Sequence, residues 1–149
     1  MLENDIRLGA IGQIERLPDE VRAELDSAMA ATATNTSMRL NLALSYGGRQ
    51  ELVEMTRKVA AQVAAGILSP DAIDADTVAA NLYTAGQADP DLMIRTSGEM
   101  RLSNYLLWQL AYAELYITDT LWPEFSREEF LDILVAFQGR DRRFGKVKP

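Results

Sequence analysis

The amino-acid sequence predicts an α/β fold, a parallel β-sheet flanked by helices, and three observations predict it. Short apolar runs of strand length alternate with longer segments of helical period along the whole chain. Strands separated by helical segments become parallel neighbours through right-handed crossovers. No internal repeat, low-complexity tract or linker interrupts the 149 residues, which suits a single domain over 1–149.

The elements follow in order. "IRLGAIG" reads as a buried strand from Ile6 to Gly12. "LPDEVRAELDSAMAATA" opens with Pro18 and two acids in the first turn, then places Val21, Leu25, Ala28 and Met29 at helical spacing. "RLNLALSY" is a second strand, closed by Gly47 and Gly48. "RQELVEMTRKVAAQVAAG" is amphipathic and is stopped by Gly66. "SPDAIDADTVAANLY" reads as a turn and a short helix capped by Asp74 or Asp76. "DLMIRT" is a third strand, and "SNYLLWQLAYAE" a helix capped by Ser103 or Asn104. "LYIT" is a fourth strand, and "SREEFLDILVAFQGR" a last helix whose Ser126 and Glu129 have capping-box spacing.

Composition narrows the chemistry. There is no cysteine, so disulfides and thiolate metal sites are out, and a reducing, cytoplasmic setting fits. There is no histidine, which removes imidazole bases and His-ligated zinc. Acid–base or metal work falls to carboxylates, and any metal should be a hard ion such as Mg2+. A formal charge of −7 argues against nucleic acid as a partner. "MLENDIRLGAIG" lacks the basic start of a signal peptide, and "LLWQLAYAELYI" is too short to span a bilayer, so a soluble protein is expected.

Ligands of parallel sheets sit beyond the carboxyl ends of the strands. Two segments stand there, "SYGGR" and "RTSGEMR". In the second, Arg95, Arg101 and Ser103 return within a few residues, and Gly98 lets the backbone turn closely. Arginine grips phosphate through a planar fork. A helix starting near Ser103 would add its amide donors to the same place. The grouping suits a diphosphate. Glu114 interrupts an apolar run: it is either a solvent-exposed helix-end glutamate or a carboxylate for a magnesium ion bridging to that diphosphate. The basic end "GRDRRFGKVKP" reads as a solvated tail, unless Phe144 and Gly145 anchor it and place Arg143 against a ligand. Trp122 and Phe125 of "LWPEF" read most simply as core.

The run from Asp91 to Gly145 closely resembles the C-terminal region of undecaprenyl diphosphate synthases, the cis-prenyltransferases. "NDIRLGAIGQIERLP" and "LNLALSYGGRQELV" resemble the preceding segments in order. The resemblance implies a transferase that condenses isopentenyl diphosphate with an allylic diphosphate, aided by Mg2+. It implies that Arg95, Arg101 and Ser103, with Leu102 between them, clamp the diphosphate of isopentenyl diphosphate. It implies further that Glu114 is magnesium-linked, and that Arg143 and Gly145 form an Arg-x-Gly signature reaching across a dimer. Met38 falls where the family places a residue at the far end of its lipid tunnel.

Some positions depart from the family pattern. Met100 stands where many relatives carry histidine, and Ser45 where asparagine is common. The family's "DGNGRW"-type loop, with its metal-binding aspartate, and its "S-x-E-N-W-x-R-P" segment do not occur in the sequence. The expectation is therefore a partial cis-prenyltransferase domain lacking the N-terminal strands, with no catalytic residue of its own and inactive in isolation. It would form a homodimer, or a heterodimer with a complete homologue, and would touch membranes at most peripherally through a lipid product. The alternative is a non-catalytic partner subunit of a dimeric prenyltransferase.

Overall fold

A computed structural model describes residues 1–140. Parallel strand pairing and flanking helices give the α/β fold that the alternation predicts. The chain divides into two compact units, the first ending at Gln87 and the second starting at Ala88.

In the first unit, β1 (Ile6–Ile11) runs through α1 (Asp19–Ala31) into β2 (Met38–Ala43). The two strands pair in parallel from Ile6 opposite Met38 to Ile11 opposite Ala43. Two devices fix that register. At the start, the Asp5 carboxylate accepts from the backbone N–H of Thr36 at 3.2 Å and of Ser37 at 2.8 Å. At the end of α1, the buried Thr32 hydroxyl accepts from Leu8 N–H at 3.1 Å and donates to the Ala28 carbonyl at 2.9 Å. One side chain thus ends the helix and satisfies a strand amide that would otherwise lack a partner.

Gly47 leads into α2 (Gly48–Ala64), and Gly66, at φ +69°, ends it as expected of a left-handed C-terminal glycine. A single turn of 3-10 helix at Pro70–Ala72 precedes α3 (Ala75–Asn81). Asp74 caps α3, its carboxylate accepting from Thr77 N–H at 2.8 Å. Leu8, Ile11, Leu25, Val59 and Leu82 form the buried core of this unit.

In the second unit, β3 (Leu92–Arg95) pairs in parallel with β4 (Glu114–Ile117), and α4 (Arg127–Gln138) follows. Ser126 caps α4 by accepting from Glu129 N–H at 3.1 Å. Ile133 is fully buried, with Leu106 and Leu110. Trp122 and Phe125 stack at 6.2 Å between centroids, yet Trp122 is 73 % exposed, so the core reading of "LWPEF" does not hold for it.

The strands pair as two two-stranded parallel sheets, β1-β2 in the first unit and β3-β4 in the second. One further expectation is corrected. The segment 103–113 is a succession of turns, not a helix. Ser103, Asn104 and Leu106 lie at φ +50°, +61° and +43°, and left-handed residues break the α-helical ladder. What remains is local: Tyr105 N–H bonds to Leu102 O, and Leu110 N–H to Leu106 O.

Candidate functional site

The carboxyl end of β3 gathers most of the predicted residues. Arg95 is its last residue, and its half-buried guanidinium turns back over the following loop. Nη1 donates to the Ser103 hydroxyl at 2.8 Å and to the Arg101 carbonyl. Nη2 pairs with one carboxylate oxygen of Glu99, and Arg101 pairs with the other. The two guanidiniums therefore face one carboxylate. They hold the Glu99 carboxyl below the usual carboxylate range, Arg95 contributing most and Arg101 next.

Backbone geometry makes this convergence possible. Ser97 and Gly98 both have left-handed φ, +71° and +67°, which reverses the chain immediately after the strand. Their amides are tied down, Ser97 N–H to Thr120 O at 2.9 Å and Gly98 N–H to Thr118 O at 2.8 Å. A Cβ at position 98 would lie 2.6 Å from the Asp119 carboxylate, so an added side chain would have to displace Asp119 as well as hold a left-handed φ. Beside the arginines a cavity of about 180 Å³ is lined by Met93, Met100, Leu102, Leu115, Tyr116 and Ile117. A charged rim over a mostly apolar pocket suits a ligand with an anionic head and a short hydrocarbon body. No helix begins at Ser103, so the helix amide donors expected at this site are not part of it.

Glu114 lies elsewhere. The register sets it opposite Leu92, at the entry of the ladder, while Arg95 pairs with Ile117 at the exit. Its carboxylate accepts from Arg140 Nη1 at 2.8 Å, and Arg140 also donates to the Leu115 carbonyl. Among the described residues no group of three Asp or Glu side chains could hold a metal. A single carboxylate already paired with a guanidinium does not by itself fit magnesium, which needs several oxygen ligands. Arg143 and Gly145 lie outside the described residues.

Sequence reasoning missed two features. The sequence pattern alone assigns Glu99 no role; its position between two arginines is the available signal. The other lies in the first unit, where Glu51 is only 2 % exposed. Its carboxylate accepts from Tyr83 N–H at 2.8 Å and from the Tyr46 hydroxyl at 2.5 Å. Glu54, alongside, accepts from Tyr83, Gln50 and Gln13, and is held below its ordinary range chiefly by the Tyr83 bond. That network fixes the loop after β2, where Ser45 (φ +48°), Gly47, Gln13, Arg16 and Gln50 line a polar depression. Met38 begins β2 and is 51 % exposed.

The fold and the arginine cluster together define a parallel α/β protein with two guanidiniums and a hydroxyl gathered at a strand's carboxyl end. The family model described as "Putative undecaprenyl diphosphate synthase" matches residues 1–145. The chain is 54 % identical over 143 residues to an isoprenyl transferase of Heliobacterium mobile, covering 96 % of this chain and 55 % of that protein. It is 49 % identical over 147 residues to an isoprenyl transferase of Chlorobaculum tepidum, covering 99 % and 56 %. Among solved structures, lavandulyl diphosphate synthase from Lavandula x intermedia, in complex with dimethylallyl diphosphate, superposes with a TM-score of 0.94 at 42 % identity, covering 97 % of this chain and 62 % of that one. A probable undecaprenyl diphosphate synthase from Campylobacter jejuni gives 0.83 at 35 % identity, covering 98 % and 66 %. The chain belongs to the undecaprenyl diphosphate synthase family of prenyltransferases. It spans little more than half the length of the curated relatives it matches.

Proposed function

We propose that this chain carries the isopentenyl-diphosphate-binding part of an isoprenyl transferase, which condenses isopentenyl diphosphate with an allylic diphosphate. The observation that carries the reading is the meeting of Arg95, Arg101 and Ser103 at the end of β3, around a carboxylate. Two forks and a hydroxyl provide donors for several oxygens, which is what a diphosphate presents. In this proposal diphosphate oxygens take the guanidinium bonds now made by Glu99. Leu102 and the adjoining apolar cavity receive the hydrocarbon.

The chain's own residues supply binding and orientation. They hold a polyanion with its carbon body aimed into an apolar pocket, so that the reacting carbon is fixed in place. Magnesium would assist departure of pyrophosphate in the family's chemistry, and Glu114, a single carboxylate paired with Arg140, does not fit it alone. The metal-binding "DGNGRW"-type loop does not occur in these residues, so catalysis of condensation falls to groups outside them.

The reading extends to assembly and surroundings. Tyr112 and Trp122, 78 % and 73 % exposed, support burial against a second copy or a complete homologue. The proposed cross-subunit reach of Arg143 and Gly145 belongs to that assembly. Among the described residues no helix is long and apolar enough to cross a membrane. A cytoplasmic setting rests on the absence of cysteine.

Titration calorimetry with inorganic pyrophosphate and with isopentenyl diphosphate tests the grip. Charge-assisted bonds contribute about 1.5–3 kcal/mol each, so Arg101→Ala should weaken both ligands by about tenfold or more. Arg101→Lys should recover little of the loss, since an ammonium cannot form the fork. Unchanged affinity in the Arg95→Ala, Arg101→Ala double variant would refute the proposal.

A further inference from the structure

Thr118 stands where β4 ends, and five hydrogen-bond contacts meet on it. Its N–H donates to the Arg95 carbonyl at 2.9 Å, and its carbonyl accepts from Gly98 N–H at 2.8 Å. These bonds bracket the loop that carries Glu99 and leads to Arg101. Its hydroxyl lies 2.6 Å from Glu129 Oε1, the nearer and charged acceptor, and 3.1 Å from the Thr120 hydroxyl, and it accepts from Thr120 N–H at 3.2 Å. Thr120 in turn accepts from Ser97 N–H through its carbonyl, at 2.9 Å. Every backbone bond that sets the reversal at Ser97 and Gly98 therefore passes through Thr118 or the residue its hydroxyl orients.

Glu129 is the outer member of the chain. It lies in the first turn of α4, where its N–H bonds to the Ser126 hydroxyl at 3.1 Å. Its carboxylate reaches Thr118, on the strand. Both Thr118 and Glu129 are half-buried, so the bond between them is partly shielded from competing water. A carboxylate acceptor also holds the threonine hydroxyl more firmly than a neutral one would.

We infer that Glu129 and Thr118 are positioning residues for the Arg95–Arg101 cluster. Glu129 fixes the Thr118 rotamer, Thr118 and Thr120 fix the Ser97–Gly98 reversal, and the reversal sets the separation of the two guanidiniums. Neither residue touches the ligand. The inference deepens the proposed diphosphate grip and rests on it for its functional meaning.

The test uses the full chain and four variants of this link. Thr118→Val and Glu129→Ala remove it, while Thr118→Ser and Glu129→Gln keep a hydroxyl and an acceptor. Ser126→Ala is the control, since it removes the cap bond to the Glu129 backbone N–H and leaves the Glu129 carboxylate on Thr118. Calorimetry with inorganic pyrophosphate, amide exchange at Ser97 and Gly98 without ligand, and urea midpoints are read for each. Coupling within one hydrogen-bond network predicts about fivefold weaker pyrophosphate binding in Thr118→Val and Glu129→Ala. Exchange at the two amides should quicken in those variants. The Ser and Gln variants should stay near the parent, and Ser126→Ala should lower the midpoint while leaving affinity and exchange unchanged. Parental affinity and exchange in Thr118→Val would overturn the inference. So would an equal loss of affinity in Ser126→Ala, which would show a general stability effect. Should Arg101→Ala leave pyrophosphate binding unaltered, the grip itself fails; the ligand-free exchange rates then still decide whether Thr118 and Glu129 set the loop.

Discussion

Replacing Gly98 by alanine tests the geometry of the arginine loop directly. Two separable costs are expected. Gly98 sits at φ +67°, where an L-residue with a Cβ costs about 1–2 kcal/mol. The new Cβ would also lie 2.6 Å from Asp119 Oδ1, and its next nearest neighbours are other Asp119 atoms, at 3.7 and 3.8 Å. Relief therefore requires the Asp119 side chain to leave its rotamer, at about 1 kcal/mol. Together the substitution should destabilise the second unit by about 2–3 kcal/mol. In an Asp119→Ala background the clash disappears and only the backbone part should remain, so the two substitutions should couple by about 1 kcal/mol. Urea unfolding followed by tryptophan fluorescence measures this in the right place. The chain's two tryptophans, Trp108 and Trp122, both lie in the second unit. Equal cost in both backgrounds would refute the claimed contact between position 98 and Asp119. No cost in either would refute the left-handed turn itself.

Acid should weaken the fold in a defined window. Glu54, Asp74 and Glu99 have folded pKa values below their ordinary 4.5, 3.8 and 4.5, through bonds from Tyr83, Thr77 and Arg95 respectively. A depressed folded value gives stability that is fully present above the unfolded pKa and lost as pH falls through the folded one. Urea midpoints should thus fall below about pH 4.5, and less so in Glu54→Gln; a midpoint constant down to pH 3 would contradict it. Incubation of the purified chain with isopentenyl and farnesyl diphosphates should give no condensation product, while fusion to the N-terminal half of a relative should restore it. Product from the chain alone would place the catalytic groups within these residues.

The parts of the fold legible in the sequence were those whose determinants are local. Pro18 with Asp19 and Glu20, Gly66, Asp74 and Ser126 mark helix ends by backbone chemistry that acts over four residues or fewer, and each lies at the end it predicts. The segment 103–113 misled because its apolar residues have helical spacing while its opening residues are left-handed. That conformation accompanies a contact across eight residues, the bond from Arg95 to the Ser103 hydroxyl, which no local pattern encodes. Glu114 was misplaced at a helix end for a related reason. Its N–H pairs with the Asp91 carbonyl at 2.9 Å, and that ladder bond makes it the first residue of β4.

The site divides along the same line. Arg95, Gly98, Arg101 and Ser103 fall within nine residues, so strand-end position and residue type were enough to group them. Glu99 was harder, because a glutamate between arginines in an acidic chain looks like charge balance. The structure gives it a specific consequence. Two guanidiniums brought together without an anion would repel, and the Glu99 carboxylate offsets that repulsion by pairing with both. The same pairing leaves the cluster with one net positive charge, in a chain whose overall charge is −7. A diphosphate carries more negative charge than one carboxylate and offers oxygens to both forks, so it can take those bonds despite Glu99 being tethered. Screening acts over about 8 Å at physiological ionic strength, which confines the attraction to the loop and keeps the distant acids from opposing it. Local charge at the end of β3, rather than the total, is what a polyanionic ligand would meet.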